Sequence, residues 1–276
     1  MSGWSTIVVS TRAEALIIAV ANQKGGVGKT ATSVNLAGEF ARKGMRVLLV
    51  DSDPQGNATT CLGIDKRSIE TTVYDMLMGH VMPHEAVLDA RRAQLSVIAA
   101  DEHLAGAMVE LVDASRREYR LADALRELAP EYDIVLIDCP PSLGLLTLNA
   151  LCAADYVFIP LQCEFLALEG LAQLKGTIDR VRDTLNRRLA ILGVVMTMYD
   201  GRTNLAQQVV QEVRRYFPQQ ICNTLIPRSV RASEAPSYGQ LLYEYDPASR
   251  VTQAYTALAD ELLARIKKRT SITAVA

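Results

Sequence analysis

The sequence predicts an α/β fold in which helices flank a doubly wound, mostly parallel sheet. Several strand-length runs are apolar throughout instead of alternating with polar residues, which is typical of strands buried on both faces. Longer segments of helical character separate these runs, so the chain repeats a strand–helix–strand unit. With 276 residues, of which 49% are hydrophobic and 22% charged, the chain can bury a substantial core.

The elements are predicted from these runs in chain order. The first strand covers Leu16–Ala21, and the first helix covers Lys29–Lys43 and ends at Gly44, a residue suited to a helix C-cap. Further strands are predicted at 46–50, 95–99, 134–137, 157–161 and 191–197, with a weaker candidate at 224–226. Because no Ser/Gly/Pro-rich linker interrupts the pattern, we expect one domain over residues 16–268, a flexible segment over 1–15 and a disordered tail over 269–276.

The composition narrows the functional classes. The 29 basic and 31 acidic residues leave a net charge of −2, so nucleic-acid binding would require a local basic patch. The five cysteines include no CxxC pair, which favours reduced thiols over a redox or zinc site. The sequence has neither a secretory leader nor an apolar run of about 18 residues that could span a membrane. We therefore expect a soluble cytoplasmic protein.

A glycine-rich segment, Asn22–Thr30, is the strongest functional signal in the chain. It follows an apolar strand and opens a helix, which is the context that a phosphate-binding loop requires. Its three glycines allow backbone N–H groups to surround phosphate oxygens at the positive end of the helix. Lys29 can reach the β- and γ-phosphates of a nucleotide, and the Thr30 hydroxyl can ligate Mg²⁺.

The loop departs from the ordinary GxxxxGK[ST] pattern, because Gln23 stands where the first glycine is expected and a second lysine, Lys24, precedes the glycine pair. The sequence KGGVGKT resembles the deviant Walker A motif of the ParA/MinD group of P-loop ATPases. The resemblance implies that Lys24 crosses a dimer interface to the partner's nucleotide, where its charge would stabilise the transferring phosphoryl group. The alternative is that Lys24 is a solvated loop residue.

Three aspartates follow two of the predicted strands. Asp51 and Asp53 are two residues apart at a strand exit, so both side chains should point to the same side, and either could orient the attacking water. Asp138 ends an apolar run in the manner of a Walker B motif, so it is expected to hold Mg²⁺ through a water molecule. Asp51 is a further candidate for the metal.

Together these segments resemble the ParA/Soj partitioning ATPases, and the resemblance extends from Leu16 to Ile266. The motifs that carry it are KGGVGKT at 24–30, VDSDPQGN at 50–57, IDCPPSLG at 137–144, PLQCE at 160–164, ALEG at 167–170, TMYDGRT at 197–203, IPRSVR at 226–231 and SEAP at 233–236. The resemblance implies a P-loop NTPase fold, ATP and Mg²⁺ as ligands, and slow hydrolysis. It also implies an ATP-bound sandwich homodimer that binds duplex DNA without sequence preference. A ParB-like centromere-binding partner would stimulate hydrolysis and release the dimer from the nucleoid.

The resemblance also assigns residues by matching position. Asp53 matches the water-activating acid, which makes Lys24, Lys29 and Asp53 the catalytic candidates. Arg202 and Arg231 match DNA-contacting arginines. The nucleotide-binding candidates are Lys24, Gly25, Gly26, Val27, Gly28, Lys29, Thr30 and Ala31 in the loop, with Pro227 and Ser229 beside the adenine. Two of these depart from the family pattern, since Ala31 replaces a threonine and Ser229 replaces an asparagine.

Charge supports the arginine assignment independently. Five arginines but only Asp200 and Glu212 lie between residues 200 and 231, a local charge of +3 in a nearly neutral chain. Because the guanidinium can bind phosphate in a bidentate manner, such a patch suits a nucleic-acid backbone. The alternative interpretation is an ordinary solvated helix face.

The principal alternative function is a MinD-like ATPase that cycles on the membrane at the cell-division site. Such a protein needs a basic amphipathic C-terminal segment. The C-terminal segment here has helical apolar spacing, but Asp260 and Glu261 interrupt its polar face. We therefore expect this helix to pack on the core, and we expect no membrane partner.

Overall fold

An eight-stranded sheet runs through the residues that this computed structural model describes, which are 15–164 and 167–273. The strands are β1 (Leu16–Val20), β2 (Val47–Asp51), β3 (Val87–Arg92), β4 (Leu95–Ile98), β5 (Ile134–Asp138), β6 (Tyr156–Gln162), β7 (Ala190–Tyr199) and β8 (Ile221–Pro227). Their order across the sheet is β3-β4-β2-β5-β1-β6-β7-β8, and only the β3–β4 pair is antiparallel. The predicted doubly wound, mostly parallel sheet is therefore confirmed.

Helices cover both faces of the sheet. They are α1 (Lys29–Arg42), α2 (Asn57–Cys61), α3 (Val73–Met78), α4 (Leu104–Glu110), α5 (Arg120–Leu128), α6 (Leu145–Ala153), α7 (Ala167–Thr184), α8 (Asn204–Tyr216), α9 (Arg231–Glu234), α10 (Leu242–Tyr245) and α11 (Arg250–Thr273). In β5, Val135 and Ile137 join one core cluster, while Ile134 and Leu136 join the other. Burial on both faces explains why the strands are apolar throughout.

The register of the central strands brings the functional segments together. Asp51 at the end of β2 and Val20 at the end of β1 both lie opposite Asp138 at the end of β5. The loop that begins after β1 and the acids that follow β2 and β5 therefore share the carboxyl edge of the sheet. This is the edge where ligands bind in open α/β sheets.

Strand β3 was not predicted from the sequence. It lies at the edge of the sheet, and the sequence VLDARR places charged residues in half of its positions. An edge strand pairs on one side only, so it does not need the continuous apolar run that marked the other strands.

The chain ends differently from the prediction, because α11 continues through Thr273 and residues 269–273 are helical where a disordered tail was expected. Arg269 explains part of this extension, since its guanidinium donates to the Ile191 carbonyl oxygen (3.0 Å) and lies 5.2 Å from the centre of the Tyr156 ring. The predicted flexible segment falls almost entirely on residues 1–14, which lie outside the described residues. Across the described ranges, no helix combines the length and apolar character needed to cross a bilayer.

Candidate active site

The glycine-rich loop joins β1 to α1 and has the conformation of an anion cradle. Gly26 and Gly28 adopt positive φ angles of 73° and 86°, a conformation that residues with a Cβ rarely adopt. No atom lies within 4 Å of a Cβ placed on Gly25 or Gly26, so the loop borders open space. Gly28 is also the N-cap of α1 and provides no side-chain cap, which leaves the start of this 14-residue helix available to an anion.

Neighbouring strands hold the loop in place. The Asn22 side chain donates to the Pro160 carbonyl oxygen at the end of β6 (2.7 Å). The Thr197 hydroxyl on β7 donates to the Val27 carbonyl oxygen (2.8 Å), and Val27 itself is buried. Sequence reasoning did not identify Asn22 or Thr197 as loop anchors, because each bond joins segments far apart in the chain.

Lys29 lies inside the cradle. Its side chain is nearly buried, and its ammonium donates to the Lys24 carbonyl oxygen (3.2 Å). Burial lowers the pKa of Lys29, and the carboxylates of Asp138 and Asp53 oppose that shift. Among the described residues that carbonyl oxygen is the single hydrogen-bond acceptor of the Lys29 ammonium, which is therefore well placed to bind the oxygens of a phosphate chain.

Thr30 and Asp138, two residues predicted to hold magnesium, are hydrogen-bonded to each other. The Thr30 hydroxyl donates to Asp138 Oδ2, and the Ser33 hydroxyl donates to Asp138 Oδ1, both at 2.8 Å. Burial, followed by the neighbouring charge of Asp51, raises the pKa of Asp138 to about 7. Ser33 is a site residue that sequence reasoning missed, and its position one helical turn after Thr30 was the available signal.

These residues fit Mg²⁺ bound together with a nucleotide. The described residues contain no group of three or more His, Cys, Asp or Glu side chains arranged to hold a metal alone. Mg²⁺ in nucleotide sites takes few protein ligands and completes its octahedron with phosphate oxygens and water. The Thr30 hydroxyl and the buried Asp138 carboxylate are hard oxygen donors of the kind it prefers.

The two aspartates after β2 have different environments. Asp51 is fully buried, and its Oδ2 accepts hydrogen bonds from the Thr59 backbone N–H (2.8 Å) and hydroxyl (2.7 Å). Its Oδ1 accepts from the Asp53 N–H (3.3 Å), and burial raises the pKa of Asp51 to about 6. Asp51 therefore anchors α2, and both of its oxygens are occupied by protein donors.

Asp53, in contrast, lines the open cleft beside the loop. Its Oδ1 accepts from the Gln55 N–H (3.0 Å), while within the described residues Oδ2 accepts no hydrogen bond. A carboxylate with one free oxygen facing the cleft can orient a water molecule. Of the two candidates, the geometry favours Asp53 for that role.

The cleft itself has a volume of about 400 Å³. Six of the candidate nucleotide-binding residues, Gly25, Gly26, Gly28, Lys29, Thr30 and Ala31, contribute to its wall together with Asp53, whereas Lys24 and Val27 do not. Further lining residues were not identified as site residues from the sequence, among them Met198, Ala232, Ala235, Pro236, Gln240 and Leu242. Pro227 ends β8, and neither it nor Ser229 lines the cleft; the chain that follows them does.

Lys24 lies outside this wall and points elsewhere. Its ammonium forms an ion pair with Glu164, just after β6, and both side chains are about half exposed, at 40% and 45%. Glu164 was not predicted as a partner of Lys24, because the two residues are far apart in the sequence. With its ammonium on Glu164, Lys24 does not line the cleft.

The two candidate DNA-binding arginines lie at the same carboxyl edge of the sheet. Arg202 follows β7 and Arg231 follows β8, and these strands are neighbours, with Tyr199 paired to Pro227. Arg202 is 90% exposed and contacts Asp200 at 2.7 Å, a pair that lowers the pKa of Asp200 to about 2.

Arg231 is partly neutralised by acids that the predicted charge count did not include. It contacts Glu234 at 3.0 Å and Asp246 at 3.3 Å. Both acids lie after residue 231, outside the stretch whose net charge was counted as +3. The folded patch is therefore less basic than that count indicated. Exposed ion pairs of this kind are weak because water screens the charges, so the arginines remain available to a polyanion.

Comparisons with known proteins agree with this geometry. A family model described as an AAA domain matches residues 15–191. The chain is 51% identical over 263 residues to a chromosome partitioning protein ParA of Myxococcus xanthus, covering 95% of this chain and 90% of that protein. It is 53% identical over 248 residues to the sporulation initiation inhibitor protein Soj of Bacillus subtilis, covering 90% and 98%.

The chain is also similar to a solved structure that contains a bound nucleotide and magnesium. The cobyrinic acid a,c-diamide synthase of Mycobacterium smegmatis, determined with ADP and magnesium, matches with a TM-score of 0.81 and 38% identity. The match covers 92% of this chain and 96% of that one. The shared architecture thus accommodates a nucleotide and magnesium in that relative.

Proposed function

Because the chain belongs to the ParA/Soj family of chromosome-partitioning ATPases, we propose that it segregates DNA through a cycle of ATP-dependent dimerisation. Two ATP-loaded protomers close face to face, and the dimer binds duplex DNA of any sequence. A ParB-like centromere-binding partner then stimulates hydrolysis, and the resulting monomers leave the DNA. In this scheme the protein works in the cytoplasm, associated with the nucleoid.

The observation that carries the proposal is the opposite placement of the two loop lysines. Lys29 is nearly buried and lines the cleft, whereas Lys24 is half exposed and does not line it. A lysine that cannot serve its own nucleotide is free to serve that of a second protomer. There its charge would act where negative charge develops on the transferring phosphoryl group.

Within one protomer the remaining roles follow from position. The backbone of Gly25–Thr30 cradles the phosphates, and Lys29 binds the β- and γ-phosphates. Thr30 would hold Mg²⁺ directly and Asp138 would hold it through water, and the ion would neutralise phosphate charge. Asp53 orients the attacking water from the cleft wall. The family resemblance places the base beside Pro227 and Ser229, and the chain that follows them lines the cleft through Ala235 and Pro236.

The DNA-binding step uses Arg202 and Arg231. Both lie at the ends of adjacent strands, so one protomer offers a small cationic edge that carboxylates partly neutralise. Dimerisation would double that edge. Since each phosphate contact adds to affinity through counterion release, doubling the contacts turns weak binding into useful binding.

The MinD-like alternative would require α11 to offer an apolar face to a membrane. In the folded chain Val251, Tyr255, Leu258 and Leu262 are buried in the core beside α1 and β8. Exposing them would cost about 1.5–3 kcal/mol for each large side chain. The burial of these side chains therefore supports a DNA-partitioning function over membrane cycling.

A direct experiment separates these functions. The hydrolysis-blocked variant Asp53→Ala, with ATP and Mg²⁺, is offered random duplex DNA in one arm and anionic liposomes in the other. We expect cooperative DNA binding that requires ATP and weakens steeply with salt, and no liposome binding. Liposome binding without DNA binding would establish the membrane-cycling function instead.

A further inference from the structure

The ion pair between Lys24 and Glu164 suggests how the loop lysine is controlled. We propose that Glu164 is a positioning residue that holds Lys24 within its own protomer until a second, ATP-loaded protomer draws the lysine away. This inference rests on the proposed function, because it assumes that Lys24 serves the partner's nucleotide. In this proposal Glu164 lowers the dimerisation constant of ATP-loaded monomers.

The surrounding contacts restrict the movement to the Lys24 side chain. The Lys24 N–H donates to Asn22 Oδ1 (3.1 Å), and the Lys24 carbonyl oxygen accepts from the Lys29 ammonium (3.2 Å). The backbone of Lys24 is thus held on both sides by the loop itself. Only the direction of its ammonium remains to be set, and in the monomer Glu164 sets it.

Glu164 is equally well fixed at its backbone. Its N–H donates to the Gln162 carbonyl oxygen (2.8 Å), and its own carbonyl oxygen accepts from the N–H of Ala167, the first residue of α7. The distance of that second bond is 3.0 Å. The carboxylate therefore stands at a defined place between β6 and α7, and loss of its charge should leave the backbone undisturbed.

The expected strength of the contact suits a reversible restraint. Both side chains are about half exposed, and an exposed ion pair shifts an equilibrium by only about 1.4- to 5-fold. A nucleoside triphosphate carries more negative charge than one carboxylate, so it can outcompete Glu164 for the Lys24 ammonium. Forming one dimer breaks two such pairs, so their combined effect on the dimerisation constant is about 2- to 25-fold.

The test is Glu164→Gln, combined with Asp53→Ala so that ATP persists. We expect dimerisation with ATP and Mg²⁺, measured by sedimentation, to strengthen by about 2- to 25-fold. Nucleotide affinity of the monomer should not change, because Glu164 does not line the cleft. A merely structural role for Glu164 would weaken dimerisation, not strengthen it.

The matched control is Glu169→Gln, which removes the same charge from an exposed position in the first turn of α7. It should dimerise like the parent. A second readout needs no dimer: in nucleotide-free protein, acylation of Lys24 measured by mass spectrometry should rise in Glu164→Gln. Lys175, paired with Asp179, provides the internal reference and should not change.

The outcomes distinguish this inference from the proposed function. If the Asp53→Ala parent forms no ATP-dependent dimer, the proposed function fails. If that parent dimerises and Glu164→Gln matches Glu169→Gln, or dimerises more weakly, the positioning role of Glu164 is overturned. Unchanged acylation of Lys24 would also overturn it, whatever the dimerisation shows.

Discussion

The nucleotide cleft and the arginine edge lie on the same side of one sheet but are built in opposite ways. In the cleft, Asp138 is fully buried and is held by hydroxyls of Thr30 and Ser33, more than 100 residues away in the chain. At the edge, Arg202 and Arg231 are exposed and paired with acids two and three residues away. The cleft is assembled by the fold, whereas the edge is assembled locally.

This difference matches the ligand that we propose for each region. A phosphate chain with Mg²⁺ needs fixed donors at set positions, which burial and long-range hydrogen bonds supply. A DNA backbone of any sequence needs positive charge that can adapt, and long exposed arginines supply it. We therefore expect substitutions in the cleft to have large, specific effects and substitutions at the edge to have small, additive ones.

The largest effect is expected from Lys29→Ala. Removing the buried cation of the cradle should weaken ATP binding by about 30-fold or more, because truncating one partner of a buried charge pair costs about 2–5 kcal/mol. Isothermal titration calorimetry measures the affinity, and circular dichroism checks that the variant is folded. Unchanged ATP affinity in a folded variant would break the assignment of the cleft.

The next effect is expected from Asp53→Ala, which should lower partner-stimulated hydrolysis by about 100-fold or more while ATP affinity changes little. Asp51→Ala is the informative comparison, since it leaves the buried Thr59 N–H unsatisfied and should destabilise the fold by about 1–3 kcal/mol. Phosphate release and thermal melting separate the two variants. Normal turnover by Asp53→Ala would mean that another group orients the water.

The smallest effect is expected at the arginine edge. Arg202→Ala and Arg231→Ala should each weaken DNA binding similarly for all sequences and reduce the salt slope by about 1, with ATP affinity unchanged. The matched control is Arg188→Ala, an exposed arginine in the turn between α7 and β7. If Arg188→Ala weakens DNA binding as much as the other two, the site is not at the predicted edge.

The sequence predicted the parts of the cleft whose signals lie within short segments of the chain. The loop at 22–30 and the acids at 51, 53 and 138 lie at the ends of continuous apolar strands, and the fold brings them to one edge. Those signals are local, since a buried parallel strand and a glycine-rich turn each depend on a few neighbouring residues.

What the sequence did not predict depends on contacts between distant segments. Thr197 anchors the loop from β7, and Ala235 and Pro236 line the same cleft as the loop glycines. The ion pair between Arg231 and Asp246 is similar, since Asp246 lies well beyond the stretch in which charge was counted. Such pairs carry no local pattern, so only the folded chain shows them.

The central claim is that ATP hydrolysis in the cleft releases the arginine edge from DNA. The most direct test loads the protein on DNA with ATP and Mg²⁺, adds competitor DNA and the centromere-binding partner, and follows release and phosphate production together. We predict that the parent protein leaves the DNA at its hydrolysis rate, while Asp53→Ala remains bound at least about 10-fold longer. Equal release rates for the two proteins would contradict the account.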